Sequence, residues 1–118
     1  MIETIRTAAV IGAGYMGGGI AQSLAAAGIS VTLADVSAEA TEASLERLLR
    51  EAGEFEAQGL FPAGSTAAIT ANLRTAPSIE DAVRDVDFVE EAVPEVPSIK
   101  HDVLRRICCL LYTSDAAD

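Results

Sequence analysis

Apolar residues in the first part of the chain follow the spacing of a strand, a helix and a second strand. Thr7–Ile11 is a short, mostly apolar run that stops at Gly12, which is typical of a buried parallel strand. A helix is expected from about Gly14 to Gly28, where a left-handed glycine would end it. Residues 30–35 have the composition of a second strand. The pattern predicts one βαβ unit, whose connection is right-handed in nearly all proteins.

A long helix and a return arm are predicted next. Ser37 can cap a helix at 38–58, on which apolar residues form one stripe. Glu46 and Arg50 have the spacing of an ion pair on the other side of this helix. Glycine and proline residues then interrupt the helical pattern. A short helix at 65–71 is therefore expected to fold back as the second arm of a hairpin.

The remaining residues alternate strand and helix patterns again. Strands are predicted at Leu73–Thr75 and 87–92, with a helical turn between them at 78–84. A final helix is expected from Ser98, with Val103 on its buried face. Alternation of this kind is the signature of the α/β class. We predict a Rossmann-like, doubly wound parallel sheet that is incomplete at its C-terminus.

The composition limits the partners that the protein can bind. The 118 residues carry a formal net charge of −10, and the eight Lys and Arg residues are scattered. Neither a nucleic acid nor an anionic membrane surface is therefore expected as a partner. The sequence contains no membrane-spanning run and does not begin like a signal peptide, so a cytoplasmic location is expected. Cys108 and Cys109 are adjacent, a spacing that fits neither a disulfide nor a metal site, and no metal is expected.

The last ten residues need separate treatment. The segment CLLYTSDAAD, residues 109–118, resembles an in-frame translation of the mosaic-end adapter of transposase-based sequencing libraries. A translated adapter carries no information about the fold. We therefore expect residues 1–108 to be the native part, a single dinucleotide-binding domain cut off near Cys108, and residues 109–118 to be a non-native tail.

The glycines of the first turn point to a dinucleotide. Residues 12–17, GAGYMG, fit the pattern G-x-G-x-x-G between a predicted strand and a predicted helix. Gly12 would permit the tight turn, Gly14 would let the backbone approach a pyrophosphate, and Gly17 would let the helix lie close to the sheet. Free N–H groups at the start of the helix would bind the anion. The expected cofactor-binding residues of this turn are Gly12, Ala13, Gly14, Tyr15, Met16 and Gly17.

Asp35 indicates which dinucleotide is bound. It ends the second predicted strand, 18 residues after Gly17. Its carboxylate would accept hydrogen bonds from the ribose hydroxyls of the adenosine and would repel a 2′-phosphate. Neither Val36 nor Ser37 offers the cation that NADP needs. NAD is therefore the expected cofactor.

Three blocks of the chain resemble the N-terminal NAD-binding domain of the 3-hydroxyacyl-CoA dehydrogenases. They are AVIGAGYMGGGIAQSLAAAG, VTLADVS and DFVEEAVPEVPSIK, and the resemblance covers residues 6–108. It implies reversible oxidation of an L-3-hydroxyacyl-CoA to the 3-ketoacyl-CoA with NAD, by a full-length protein that is a homodimer. It also implies that Glu95 and Lys100 contact the nicotinamide side of NAD, and that the hairpin at 38–71 contributes to acyl-CoA binding.

The resemblance places the reaction's acid–base residues elsewhere. The histidine base of the family, the glutamate that orients it and a serine that holds the substrate oxygen would all fall beyond Cys108. The single histidine, His101, does not match the position of that base. No catalytic residue is therefore predicted within this chain, and the second hypothesis is a non-catalytic nucleotide-binding fragment.

Position 90 leaves the substrate open. The acyl-CoA enzymes usually carry an apolar residue where this chain has Glu90, whereas the related L-carnitine dehydrogenases and lambda-crystallins carry a polar one. Gly18, Gly19 and Ile20, in contrast, resemble the acyl-CoA branch. A carnitine or other small hydroxy-acid substrate is therefore the alternative. Of the two extra glycines, Gly19 is expected to serve close packing, and Gly18 is expected to tolerate alanine with a gain of up to about 1 kcal/mol.

Overall fold

A parallel sheet covered by helices on both faces forms the fold. The computed structural model of the chain describes residues 5–12, 15–92, 98 and 101–107, and for Tyr15 and Met16 it describes the backbone. The strands are β1 (Thr7–Ile11), β2 (Ser30–Ala34), β3 (Leu73–Thr75) and β4 (Phe88–Glu91). The helices are α1 (Tyr15–Ala26), α2 (Ala38–Ala57), α3 (Ser65–Asn72), α4 (Ile79–Val83) and α5, which covers residues 101–107.

The strand order defines a ligand crevice. The sheet runs β3-β2-β1-β4, with every neighbouring pair parallel. From β1 the chain moves outward to β2 and β3 and then returns past β1 to β4. The direction of winding therefore reverses between β1 and β4. Open α/β sheets bind ligands outside the carboxyl ends of the strands at such a switch point.

Two separate cores explain the double winding. Alternate residues of a strand point to opposite faces, so Val10 and Leu33 lie on one face while Ala9 and Ile11 lie on the other. The first face packs against α1, α2 and α3, and the second packs against α4 and α5. Val103 of α5 is fully buried in the second core. The predicted Rossmann-like, doubly wound α/β fold is therefore confirmed for the described residues.

Most predicted boundaries are confirmed, and the small differences have local causes. The strands Thr7–Ile11 and Leu73–Thr75 have the predicted limits. The helix α1 ends at Ala26, and Gly28 follows it in the predicted left-handed conformation, with φ at 95°. The last strand begins at Phe88, one residue later than predicted. The preceding Asp87 contacts β1 by its backbone N–H, which donates to the carbonyl of Thr7 at 3.1 Å, and by its Oδ2, which accepts hydrogen bonds from the N–H groups of Arg6 and Thr7 at 2.9 and 3.2 Å.

One predicted ion pair was wrong. Arg50 Nε lies 3.7 Å from Glu54 Oε1, one turn after Arg50, and not beside Glu46. Both spacings are i,i+4, so the sequence pattern permits either partner. No helix within the described ranges is both long and apolar enough to cross a membrane.

The predicted hairpin of α2 and α3 is confirmed, and its arms are tied together. The carboxylate of Glu56 accepts hydrogen bonds from the N–H groups of Thr66 and Gly64, at 2.7 and 3.1 Å. These bonds, led by that of Thr66, lower the pKa of Glu56. The rings of Phe55 and Phe61 meet edge to face with 5.3 Å between centroids. The hairpin is therefore one packed unit that extends from the sheet.

Candidate functional site

Gly12 forms the tight turn at the end of β1. Its φ is 86°, in the left-handed region that glycine enters without a steric cost. Its N–H donates a 2.9 Å hydrogen bond to the carbonyl of Ala34, the last residue of β2. The turn is therefore anchored to the neighbouring strand at the carboxyl edge of the sheet. This agrees with the prediction that Gly12 permits a tight turn.

Gly17 brings α1 against the ends of two strands. A Cβ atom at this position would lie 2.0 Å from the carbonyl oxygen of Gly12 and 3.0 Å from Cβ of Ala92. Ala92 in turn donates its N–H to Ile11 at 2.8 Å, which fixes it beside the end of β1. Only glycine fits here, so the predicted close approach of the helix to the sheet is confirmed.

The N-terminus of α1 is electrostatically suited to an anion. The first turn of any helix leaves backbone N–H groups without intrahelical partners and carries the positive end of the helix dipole. The first turn of α1 contains no acidic residue that would neutralise it. This turn follows β1 at the carboxyl edge of the sheet, where open α/β sheets bind ligands, so its electrostatics suit a pyrophosphate group.

Asp35 follows the last residue of β2, at the same edge of the sheet as Gly12. It is half-buried, and its Oδ1 accepts a 2.7 Å hydrogen bond from the N–H of Val36. A carboxylate has further acceptor positions on both oxygens, so Asp35 can also accept from a pair of hydroxyls. Val36 is 59% exposed and adds apolar surface beside it. This combination suits an adenosine whose ribose faces Asp35.

Part of the predicted site lies outside the described residues. This holds for Ala13, Gly14, Glu95 and Lys100, and for the side chains of Tyr15 and Met16. Their assigned roles remain predictions. Cys108 and the tail at 109–118 also fall outside the described ranges.

The expectations for Gly18 and Gly19 were wrong, because their environments are reversed. A Cβ atom at Gly18 would lie 2.7 Å from Cδ2 of Leu48, a side chain that is 1% exposed. Gly19 is exposed, and a Cβ atom there would have nothing within 4 Å. Gly18 is therefore the glycine that permits close packing of α1 on α2.

The helical period offered a signal that sequence reasoning missed. The residues three and four positions after Gly18, Ala21 and Gln22, are both buried, whereas of those after Gly19 the first, Gln22, is buried and the second, Ser23, is exposed. Successive residues of a helix are rotated by about 100°. Gly17 consequently faces the sheet and Gly18 faces α2. The partner on α2, Leu48, could not be read from the glycine run.

Glu90 lies in β4 on the face of the sheet that α1 covers. It is in register with Val10 of β1 and is half-buried. Within the described part of the chain β4 is the last strand on its side of the sheet, so its side chains are less enclosed than those of β1. That position explains how a carboxylate is tolerated in the strand.

Comparison with known proteins agrees with this geometry. Residues 7–114 match the model of the 3-hydroxyacyl-CoA dehydrogenase NAD-binding domain. The match includes part of the segment expected to be a non-native tail. An L-carnitine dehydrogenase of Pseudomonas syringae is 35% identical over 90% of this chain. A fatty acid oxidation complex subunit alpha of Idiomarina loihiensis is 37% identical over 89% of it.

The chain spans only a fraction of each relative. It covers 32% of the L-carnitine dehydrogenase and 14% of the fatty acid oxidation subunit. Among solved structures, the (S)-3-hydroxybutyryl-CoA dehydrogenase of Ralstonia eutropha superposes with a TM-score of 0.78 at 28% identity, over 91% of this chain and 38% of that one. Since the family model spans nearly the whole chain, the protein belongs to the 3-hydroxyacyl-CoA dehydrogenase family, in which it corresponds to the NAD-binding domain.

Proposed function

We propose that this chain forms the NAD site of an enzyme that oxidises an L-3-hydroxyacyl-CoA to the 3-ketoacyl-CoA. The observation that carries the proposal is the meeting of three features at one sheet edge: the left-handed turn at Gly12, the close approach at Gly17 and the carboxylate of Asp35. When NAD is bound there, its nicotinamide ring supplies the acceptor for the hydride of the alcohol.

The proposed binding roles follow the chain from the turn outward. Backbone N–H groups of residues 12–17 hold the pyrophosphate, and Asp35 accepts from the adenosine ribose. Glu95 and Lys100, which follow β4, contact the nicotinamide side. The negative charge of Asp35 disfavours the 2′-phosphate of NADP, because like charges at close range repel.

In this proposal the chain binds NAD, and residues in the rest of the full-length protein carry out the acid–base chemistry. In this proposal residues 1–108 are the native nucleotide-binding part and residues 109–118 are a non-native tail. A histidine base from the remaining part of the full-length enzyme takes the proton of the hydroxyl group. By the same resemblance the complete enzyme is a homodimer, and its proposed location, from the sequence features above, is the cytoplasm.

A second candidate is an NAD-dependent dehydrogenase of L-carnitine or another small hydroxy acid. Two observations favour it. Glu90 is a half-buried carboxylate in β4, and α2 carries six glutamates against two arginines. If the hairpin contacts substrate, this excess of negative charge disfavours the phosphates of coenzyme A. A relative in each branch has comparable identity to this chain.

NAD binding and hydride transfer by the chain itself test the first part of the proposal. We expect NAD to raise the melting temperature of the chain, NADP to raise it much less, and NADH formation from 3-hydroxybutyryl-CoA to be undetectable. No shift with NAD would contradict the proposed site. Measurable turnover would contradict the assignment of the acid–base residues to the rest of the enzyme.

The substrate is decided with the full-length enzyme. Initial rates of NADH formation are compared for L-3-hydroxybutyryl-CoA, free L-3-hydroxybutyrate and L-carnitine. A kcat/KM at least about 100-fold higher for the thioester supports the acyl-CoA enzyme, since that ratio corresponds to about 2.7 kcal/mol of transition-state binding. A preference for either free acid supports the second candidate instead.

A further inference from the structure

The first turn of α1 is held from two sides. On the sheet side, Gly17 faces the carbonyl of Gly12 without room for a Cβ atom. On the side that faces α2, about 100° around the helix, a Cβ atom at Gly18 would lie 2.7 Å from Cδ2 of Leu48. A displacement of Leu48 would therefore change the position of the turn that is proposed to bind the pyrophosphate.

A second contact joins the same two helices one turn later. Gln22 Nε2 donates a 3.0 Å hydrogen bond to the backbone carbonyl of Leu48, and the bond is buried. Gln22 is itself only 4% exposed. The carbonyl lies inside α2, where one lone pair serves the helix and a second remains for Gln22. Leu48 thus touches α1 through both its side chain and its backbone.

Further hydrogen bonds connect α2 to α3 and α3 to α1, so the hairpin can move only as a unit relative to α1. Thr66 Oγ1 donates to the carbonyl of Ala52, one turn after Leu48, at 3.2 Å, and Asn72 Nδ2 donates to the carbonyl of Ala25 at 3.0 Å. The hairpin is therefore hydrogen-bonded to the C-terminal half of α1, at Gln22 and Ala25, while Gly18 packs on Leu48 in the first turn. Beside Leu48, between α1 and α2, lies a groove of about 200 Å³.

We propose that Leu48 and Gln22 are positioning residues of the dinucleotide site. By setting the distance between α2 and the first turn of α1, they hold that turn in the geometry that binds NAD. Binding of NAD and seating of the α2–α3 hairpin are consequently coupled. The proposal rests on the proposed NAD site at the start of α1.

The first test is a size exchange across the contact, measured as the NAD dissociation constant by calorimetry. Gly18→Ala and Leu48→Val are each expected to weaken NAD binding at least about threefold. The double variant is expected to bind within about twofold of the unaltered chain, because the shorter valine leaves room for the methyl group of alanine. Gly19→Ala, on the open side of the same helix, is the matched control and is expected to bind normally.

The second test uses a readout that a merely structural contact would not change. NAD is expected to slow amide hydrogen exchange in α2 as well as in α1 of the unaltered chain. Gln22→Met keeps the bulk of the side chain and removes its donor. In this variant NAD is expected to protect α1 while its protection of α2 is lost, and circular dichroism verifies that the variant is folded.

The outcomes separate this inference from the proposed function. If the unaltered chain fails to bind NAD, both fall together. If it binds NAD but the double variant binds no better than Gly18→Ala, or if protection of α2 is absent or survives in Gln22→Met, the coupling is overturned and the NAD site stands.

Discussion

The N-termini of α1 and α2 solve the same problem in different ways. At α2, Ser37 Oγ accepts a 3.1 Å hydrogen bond from the N–H of Ala40, and Glu39 adds negative charge to the first turn. The first turn of α1 contains no acidic residue and is built from glycine on its packed sides. The comparison teaches that α2 satisfies its own terminus with a side chain and a charge, whereas the proposed role of the α1 terminus is to bind a ligand through its backbone N–H groups.

Adding a methyl group at Gly17, where α1 lies against the sheet, should have the largest effect on stability and on NAD affinity. Gly17→Ala places a methyl group 2.0 Å from the Gly12 carbonyl, so the helix start must move away from β1. We expect a loss of about 1–3 kcal/mol in the free energy of unfolding. Because the proposed phosphate contacts depend on this turn, NAD affinity should fall at least about 100-fold. Urea unfolding and calorimetry measure the two effects.

Ser37→Ala is the control from the other terminus. Loss of this cap should cost about 1 kcal/mol of stability and leave NAD affinity unchanged, because α2 uses its cap only for itself. Unchanged NAD affinity in Gly17→Ala, or a large loss in Ser37→Ala, would remove the distinction between the two termini.

Removing the carboxylate of Asp35 should have the next largest effect. Loss of charge-assisted hydrogen bonds to the ribose predicts that Asp35→Ala binds NAD about tenfold to 100-fold more weakly. The preference for NAD over NADP should also shrink, since the repulsion of the 2′-phosphate is gone. Glu46→Gln, an exposed change on α2, is the control. Equal discrimination before and after the change would exclude Asp35 from the ribose site.

An ion pair at the start of a third helix, α4, should make the stability of the protein depend on pH. Glu80 in its first turn receives two 2.7 Å hydrogen bonds from the guanidinium of Arg106 in α5, which lower the pKa of Glu80 to about 2. Because the pKa is lowered on folding, the pair stabilises the protein above about pH 4.5 and less as the pH falls towards 2.

Glu80→Gln should therefore cost stability at neutral pH and much less in acid. Since the pair is partly exposed, with side-chain accessibilities of 40% and 30%, we expect about 0.5–1 kcal/mol at pH 7. Denaturant titrations of both forms between pH 7 and 2.5 give the difference. A difference that stays constant over this range would show that the ion pair is not its source.

The smallest effect should separate two adjacent glycines. Gly19→Ala, which meets open space, should stabilise α1 by up to about 1 kcal/mol. Gly18→Ala gains the same helix propensity but must displace the buried Leu48, so it should be less stable than Gly19→Ala. Thermal melts of the two variants decide the order. The reverse order would restore the expectation drawn from the sequence.

The capped helices and the strands could be predicted well because their signals are local. Ser37 and Ser78 occupy N-cap positions that their residue types favour, and β1 and β3 have the expected limits. The pairing of Arg50 could not be predicted, since two glutamates stand at equivalent spacing on the same helix. Rotamers and packing chose between them.

In the candidate site, the left-handed turn at Gly12 and the close packing at Gly17 could be predicted, because both depend on the end of the strand that precedes them in the sequence. Residue types and their periods thus determined the elements, their order and the turn that suits a dinucleotide. Only the tertiary structure decided that Gly18, and not Gly19, packs on Leu48, and that Gln22 bonds to the same residue. The reason is physical: helical period states which residues share a face, whereas the neighbour that the face meets depends on how distant segments pack.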